Sequence, residues 1–166
     1  MRSAVFIHAI GLNEYNEHVT RGVIIDHPTA FTMGEMGGGS IYGTLAHKPL
    51  YQGGDQGNDS AMMLHSHGQS GIGSGAMIGT SCIYEGGIYD AMDLVDDGKM
   101  DSEKFKFFFN HIEFSDADLE GMLAATDSDG DAWASLEVPS SVVLNNDFER
   151  GDGWSYLRNQ IRQLTA

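Results

Sequence analysis

A single cysteine, Cys82, excludes an internal disulfide, so this fold owes nothing to oxidative cross-linking and suits a reducing compartment. Proline is equally scarce, with three residues against twenty-two glycines. Glycine supplies the positive φ angles of tight turns, so that imbalance favours a β-containing fold and argues against an all-helical one. Basic residues are few: nine Lys and Arg face twenty-four Asp and Glu, a formal charge of −15. Such a surface repels phosphate backbones and anionic lipid, which excludes nucleic acid as an expected partner. No apolar run approaches the roughly 18 residues of a membrane-spanning helix, and the opening MRSAVFIHAIG reads as a strand rather than a signal peptide.

What is present fits one domain over residues 1–166. The 166 residues are 41% hydrophobic and 20% charged, enough to bury a core of useful size. Acid is concentrated over residues 90–153, where seventeen Asp and Glu meet only Lys99, Lys104, Lys106 and Arg150. A solvated, solubilising face explains this, and it would also steer a basic protein partner.

Short β-branched runs at 4–10 (AVFIHAI) and 22–26 (GVIID), split by a polar loop, predict a β-hairpin. The glycine-rich stretch 34–48 is poor in bulky residues and is expected to be a mobile surface loop. Strands are expected at 49–52, 61–66, 76–79 and 81–84, with a loop at 67–75. Ile88, Ala91, Met92 and Val95 fall on one helical face, and Gly98 is placed to end that helix. KFKFFF at 104–109 alternates, predicting a half-buried strand with Phe105, Phe107 and Phe109 inward. Ser115 and Asp118 form a capping-box pattern before a short helix carrying Leu119, Met122 and Leu123. WASLEVP at 133–139 reads as a strand stopped by Pro139, with SVVLN at 141–145 continuing it. Trp154, Leu157, Ile161 and Leu164 mark a closing amphipathic helix, with Arg158 and Arg162 near its C-terminus. Early strands and later helices make the class α+β rather than a repeating βαβ sheet.

The chemistry-bearing motifs are incomplete. His65 and His67 would face the same way on a strand and could share zinc, with a third ligand from His27, Asp55 or Asp59, but two ligands are too few to predict a metal. GIGSGA at 71–76 matches a dinucleotide fingerprint in letters, yet a strand rather than a helix follows it. DSDGD at 127–131 resembles a calcium loop, but Ala132 stands where glycine is required and Glu137 comes one residue early. Ser70 lacks nucleophile-elbow spacing. Cys82, in the apolar run TSCIY, is expected to be a small buried hydrophobe. The expectation is therefore no catalytic residues, no metal and no cofactor.

HPT at 27–29, PLYQGG at 49–54, MLHS at 63–66 and the later FKFFF, WASLEVP and RGDGWSYLRNQI segments, in that order and spacing, resemble the AlgH family, also called YqgE-like proteins. The resemblance spans nearly the whole chain. It implies an α+β domain with a bifurcated, mostly antiparallel sheet, part of it closed into a small barrel and flanked by helices. At 110–123 (NHIEFSDADLEGML) only Leu119 and Glu120 match the bacterial pattern. That departure resembles the plant and algal plastid branch and implies a chloroplast location, with a bacterial-type cytoplasm as the alternative. The family pattern also implies one further strand ahead of residues 4–10, so the chain is read as lacking it, in a truncated or processed form.

The resemblance carries no catalytic residues. It leads to a non-catalytic domain that associates with protein partners, as a subunit or as an assembly or regulatory factor of a plastid complex. Pro28 and the Gly53–Gly54 pair set special backbone geometry. If those turns met His65 at one end of the barrel, His27, Thr29, Gly53, Gly54, Asp55 and His65 would line a polar concavity for a small ligand or a partner's peptide. A small-molecule sensor or enzyme using His27, Asp55 and His65 is the alternative.

Overall fold

The computed structural model describes residues 2–37, 39–68, 72, 76–79, 81–124 and 133–165. Ser70, most of the GIGSGA run and the whole DSDGD motif lie outside these residues, as does most of the loop expected at 67–75.

The organising element is the eighth strand, β8 (Phe105–Ser115), whose eleven residues include the FKFFF run. One edge pairs antiparallel with β5 (Gln56–His65). The other edge is shared. Its first half pairs in parallel with β4 (Pro49–Gln52), through Leu50, Tyr51 and Gln52 opposite Phe107, Phe108 and Phe109. Its second half pairs antiparallel with β2 (His18–Ile24), from Gly22 opposite Ile112 to Val19 opposite Ser115. The sheet therefore splits at Asn110–His111. Beyond β2 lies β1 (Val5–Leu12), completing the expected hairpin, and β3 (Pro28–Thr32) pairs with β4. Beyond β5 come the two-residue strands β7 (Tyr84–Glu85) and β6 (Ala76–Met77), shorter than the runs suggested. The order β1-β2-β8-β5-β7-β6 curls into a half-barrel, and the class is α+β as expected.

Both faces of this sheet are covered, and the two-residue period of a strand sorts its apolar side chains between two cores. Leu50, Met63, Phe105 and Phe107 enter one, beneath α1 (Met33–Met36) and α2 (Ile88–Asp96). Tyr51, Leu64 and Phe108 enter the other, with Val23, Ile25 and the turn α4 (Ser140–Val143). Fully burying each such side chain contributes roughly 1.5–3 kcal/mol. The helix expected after Ile88 forms, and the Gly98 N–H closes it on the Val95 carbonyl with φ at +73°. The capping box forms as well: the Asp118 N–H donates to Ser115 Oγ (3.1 Å) and the Ser115 N–H to Asp118 Oδ2 (3.3 Å), opening α3 (Asp116–Ala124). The last helix, α5 (Asp152–Thr165), packs Leu157 on the second core, while the Arg2 and Arg158 guanidiniums stand about 5 Å from the Trp154 ring.

Four expectations are corrected. β8 is buried on both faces through Phe108, so Lys106 lies in the second core rather than in solvent. The stretch 34–48 is no mobile loop in its described part: Met33, Ile41 and Leu45 anchor α1 and a 3₁₀ turn, Thr44–His47, into the first core. Residues 133–139 form no strand; most side chains there are exposed rather than packed on the sheet, and the residues after Pro139 turn once as a helix. Cys82 is exposed at φ +59° in the turn between β6 and β7, where Ser81 rather than Cys82 makes the closing hydrogen bonds.

Candidate functional site

Unusual backbone gathers where the sheet splits. As β4 ends, the Gly53 N–H donates to Phe109 O (2.8 Å) and its carbonyl accepts from the Ile24 N–H (2.9 Å), tying all three strands together. A Cβ on Gly53 would strike the Asn110 carbonyl oxygen, and one on Gly54 the His111 carbonyl. Only glycine lets these backbones approach so closely. Opposite them, β5 carries residues 57–60 against Asn110 alone, between the pairs Gln56–His111 and Ala61–Phe109. Gly57, Asn58, Asp59 and Asn110 all take positive φ there. A second bulge falls on β1, where His8 is the extra residue between the pairs Ile7–Gly22 and Ala9–Arg21. Bulges of this kind re-aim a side chain and concentrate beside functional sites.

The side chains so aimed surround a cavity of about 220 Å³, lined by His8, Arg21, Ser60, Glu85, Asn110 and His111 together with Ala61 and Met62. Arg21 Nε and His111 Nε2 both lie 3.1 Å from one oxygen of Glu113. The hydrogen bond from His111, reinforced by Arg21, holds the Glu113 carboxyl below its usual range. The His8 ring stands edge-on to His111 at 6.2 Å. Burial, then the charges of His111 and Arg21, lowers His8 from 6.5 to about 4, so it is a neutral imidazole at pH 7. Both of its ring nitrogens are buried without a hydrogen-bond partner, and so is Oδ1 of Asn110. Buried polar atoms left in that state are rare and costly.

The residues singled out from sequence divide into two places. His27 accepts or donates at 2.9 Å with Ser3 Oγ, and burial lowers its pKa. The His27 carbonyl takes the Gln52 N–H, and Thr29 Oγ1 donates to Leu50 O (2.7 Å). These two with Gly53 and Gly54 therefore lie along β3–β4 and the split, while Asp55 is exposed. His65 pairs with Phe105 at the other end of β8, six positions from His111 and about 20 Å away along the strand. It is fully buried, stacked on Tyr84 at 5.6 Å, and accepts the His67 N–H at Nδ1 (3.3 Å). Burial, then His67, lowers its pKa. Among the described residues no three His, Cys, Asp or Glu side chains come close enough to share a metal ion, and no helix is long and apolar enough to cross a membrane.

Sequence reading missed His8, Arg21, Asn110, His111 and Glu113. The Gly-Gly pair was the one signal near them, because it backs the split from behind. It also missed Lys106, whose Nζ donates to the Ile25 carbonyl and sits 4.0 Å from the centre of the Tyr51 ring. Burial lowers this lysine from 10.5 to about 7, against the pull of Asp26. Asp26 is itself buried and caps α5 from outside, accepting the Trp154 N–H at Oδ2 (3.0 Å).

A split, half-barrel sheet with helices on both faces defines a class, and the comparisons identify it. The AlgH-like family profile matches residues 3–161, so the chain belongs to the AlgH-like family. The fold is similar to the solution structure of the AlgH protein from Pseudomonas aeruginosa, at TM-score 0.60 and 20% identity, covering 89% of this chain and 77% of that one. It is also similar to the crystal structure of a Corynebacterium diphtheriae protein, at TM-score 0.61 and 15% identity, covering 96% and 77%. No curated protein matches the chain.

Proposed function

We propose that this AlgH-like chain is a non-catalytic binding module that recruits a protein partner through the open edge of β1, as a subunit or an assembly or regulatory factor of a chloroplast complex. The observation that carries the reading is the character of that edge. Among the described residues β1 ends the strand order, and its sequence, VFIHAIGL, contains no Lys or Pro, the residues that commonly guard an edge from pairing. Ile10 and Leu12 remain 78% and 52% exposed, and Tyr15 in the following turn 75%. An extended partner segment with apolar side chains at alternate positions fits such an edge by strand addition. The formal charge of −15 favours a segment flanked by Lys or Arg and speeds its encounter. Chloroplast placement rests on the departure at residues 110–123 from the bacterial pattern.

The small-molecule reading built on His27, Asp55 and His65 draws less support, because His65 faces Phe105, six positions along β8 from the His111 that faces Gln56, the neighbour of Asp55.

Native mass in a gentle extract of the source cells, with identification of co-migrating proteins, tests the proposal. It expects migration with a defined larger assembly, lost when Ile10→Lys places a charge on the edge. Migration at the monomer mass, or an assembly indifferent to Ile10→Lys, would refute it.

A further inference from the structure

The cavity at the sheet split takes His8 from β1 but neither of the exposed edge residues Ile10 and Leu12, and it has a ligand chemistry of its own. In its lining Arg21 commits Nε to Glu113 and leaves its Nη nitrogens uncommitted, and His8 and His111 line the same cavity. Those groups call for an anionic oxygen. The same lining holds an acceptor with no partner, Asn110 Oδ1, and the carboxylate of Glu85, an exposed residue. Those call for a cationic hydrogen-bond donor. About 220 Å³ suits a molecule somewhat larger than benzene, which fills a cavity of roughly 150 Å³.

We propose that the split-point cavity binds a small zwitterion of the amino-acid class, its carboxylate held by Arg21 and His8 and its ammonium group by Asn110 Oδ1 and Glu85. Such a ligand supplies both missing partners at once. A carboxylate alone leaves Asn110 Oδ1 unsatisfied and meets Glu85 with like charge; an amine alone leaves the Arg21 Nη nitrogens without an acceptor. The neutral imidazole of His8 can donate one ring N–H to the carboxylate. The rest of the site is already paid for by the fold, since the bulge at His8, the positive φ of Asn110 and the glycine backing hold the groups in place before any ligand arrives.

The test is an amide NMR titration of the full chain with each of the twenty free amino acids, and separately with propionate, ethylamine and inorganic phosphate. The expected result is saturable movement of the His8, Arg21 and Asn110 signals by one or more amino acids. Propionate and ethylamine should bind at least about ten-fold more weakly, the cost of one lost charged hydrogen bond. Ala61→Leu, which fills the cavity without removing a polar group, should abolish the effect, as should His8→Gln. The proposal is overturned by an absence of saturable movement with all twenty, by propionate or phosphate binding as tightly as the best amino acid, or by binding that survives Ala61→Leu. Should His8→Gln fail to fold, Ala61→Leu alone decides between these outcomes. Because Ile10 does not line the cavity, Ile10→Lys should bind the zwitterion normally, which separates failure here from failure of the partner-binding reading.

Discussion

Lys106 is the residue whose environment departs furthest from its chemistry. Its ammonium group has exchanged water for one carbonyl and three aromatic rings, those of Tyr51, Phe108 and Phe148. The folded pKa is about 7 against 10.5 when unfolded, so between those values the unfolded chain holds a proton that the folded chain has released. Stability therefore rises with pH across that window, by a few kcal/mol at most. Lys106→Met should abolish this alkaline limb in urea unfolding followed from pH 7 to 10; an unchanged limb would show that the ammonium group reaches water. Gly54 supplies a second residue-scale prediction. Gly54→Ala drives a methyl into the His111 backbone and should cost more than about 2 kcal/mol, whereas Asp55→Ala, on an exposed side chain, should stay within about 0.5. Cys82, exposed in its turn, should react with a thiol reagent in the native chain at a rate close to that of the unfolded one.

At the scale of elements, α5 is held by a group distant in sequence. Asp26 accepts the Trp154 N–H, and its carbonyl accepts the Gly151 N–H at 3.3 Å, so one buried residue after β2 seats the helix start. Asp26→Ala should cost about 1–2 kcal/mol as the loss of a cap, seen as a lower urea midpoint and faster proteolysis within 152–165. That contact also marks the limit of what the sequence discloses. Periodicity, caps and turn residues are local, so the β1–β2 hairpin, α2 with its Gly98 stop and the Ser115–Asp118 box could be read directly. Coverage of a sheet is not local. KFKFFF alternates as a half-exposed strand would, and only the second core behind β8 shows why Lys106 is inside. Residues 133–139 have strand-forming side chains but pair with no strand. The site was hidden for the same reason: His8 and Asn110 acquire their meaning from bulges, and a bulge is a property of two strands in register. Gly53 and Gly54 announced that backbones crowd together there without naming which.

For the whole molecule two electrostatic effects oppose each other below neutrality. A formal charge of −15 repels itself, so acidification should relieve strain and stabilise the chain. Histidines act the other way. His8, His27 and His65 all have folded pKa values lowered by burial, so as pH falls through 6.5 the unfolded chain takes up protons that the folded chain refuses, and stability is lost. His8, lowered to about 4, contributes most, across the window from 6.5 to 4. Around it stand Arg21 from β2, His111 and Glu113 from β8, and Glu85 from β7. Glu113 has the same sign in a lower window, because its carboxyl is held below 4.5. Salt separates the two effects. Self-repulsion among exposed carboxylates is screened within about 10 Å at 0.1 M, while a penalty that comes from burial is not. Raising salt at pH 8 should therefore increase the urea midpoint, yet the fall in midpoint from pH 6.5 to 5 should persist in high salt and shrink by more than half in His8→Phe. A fall that vanished with salt in the parent chain would assign the acid response to surface charge and deny His8 its buried, neutral state.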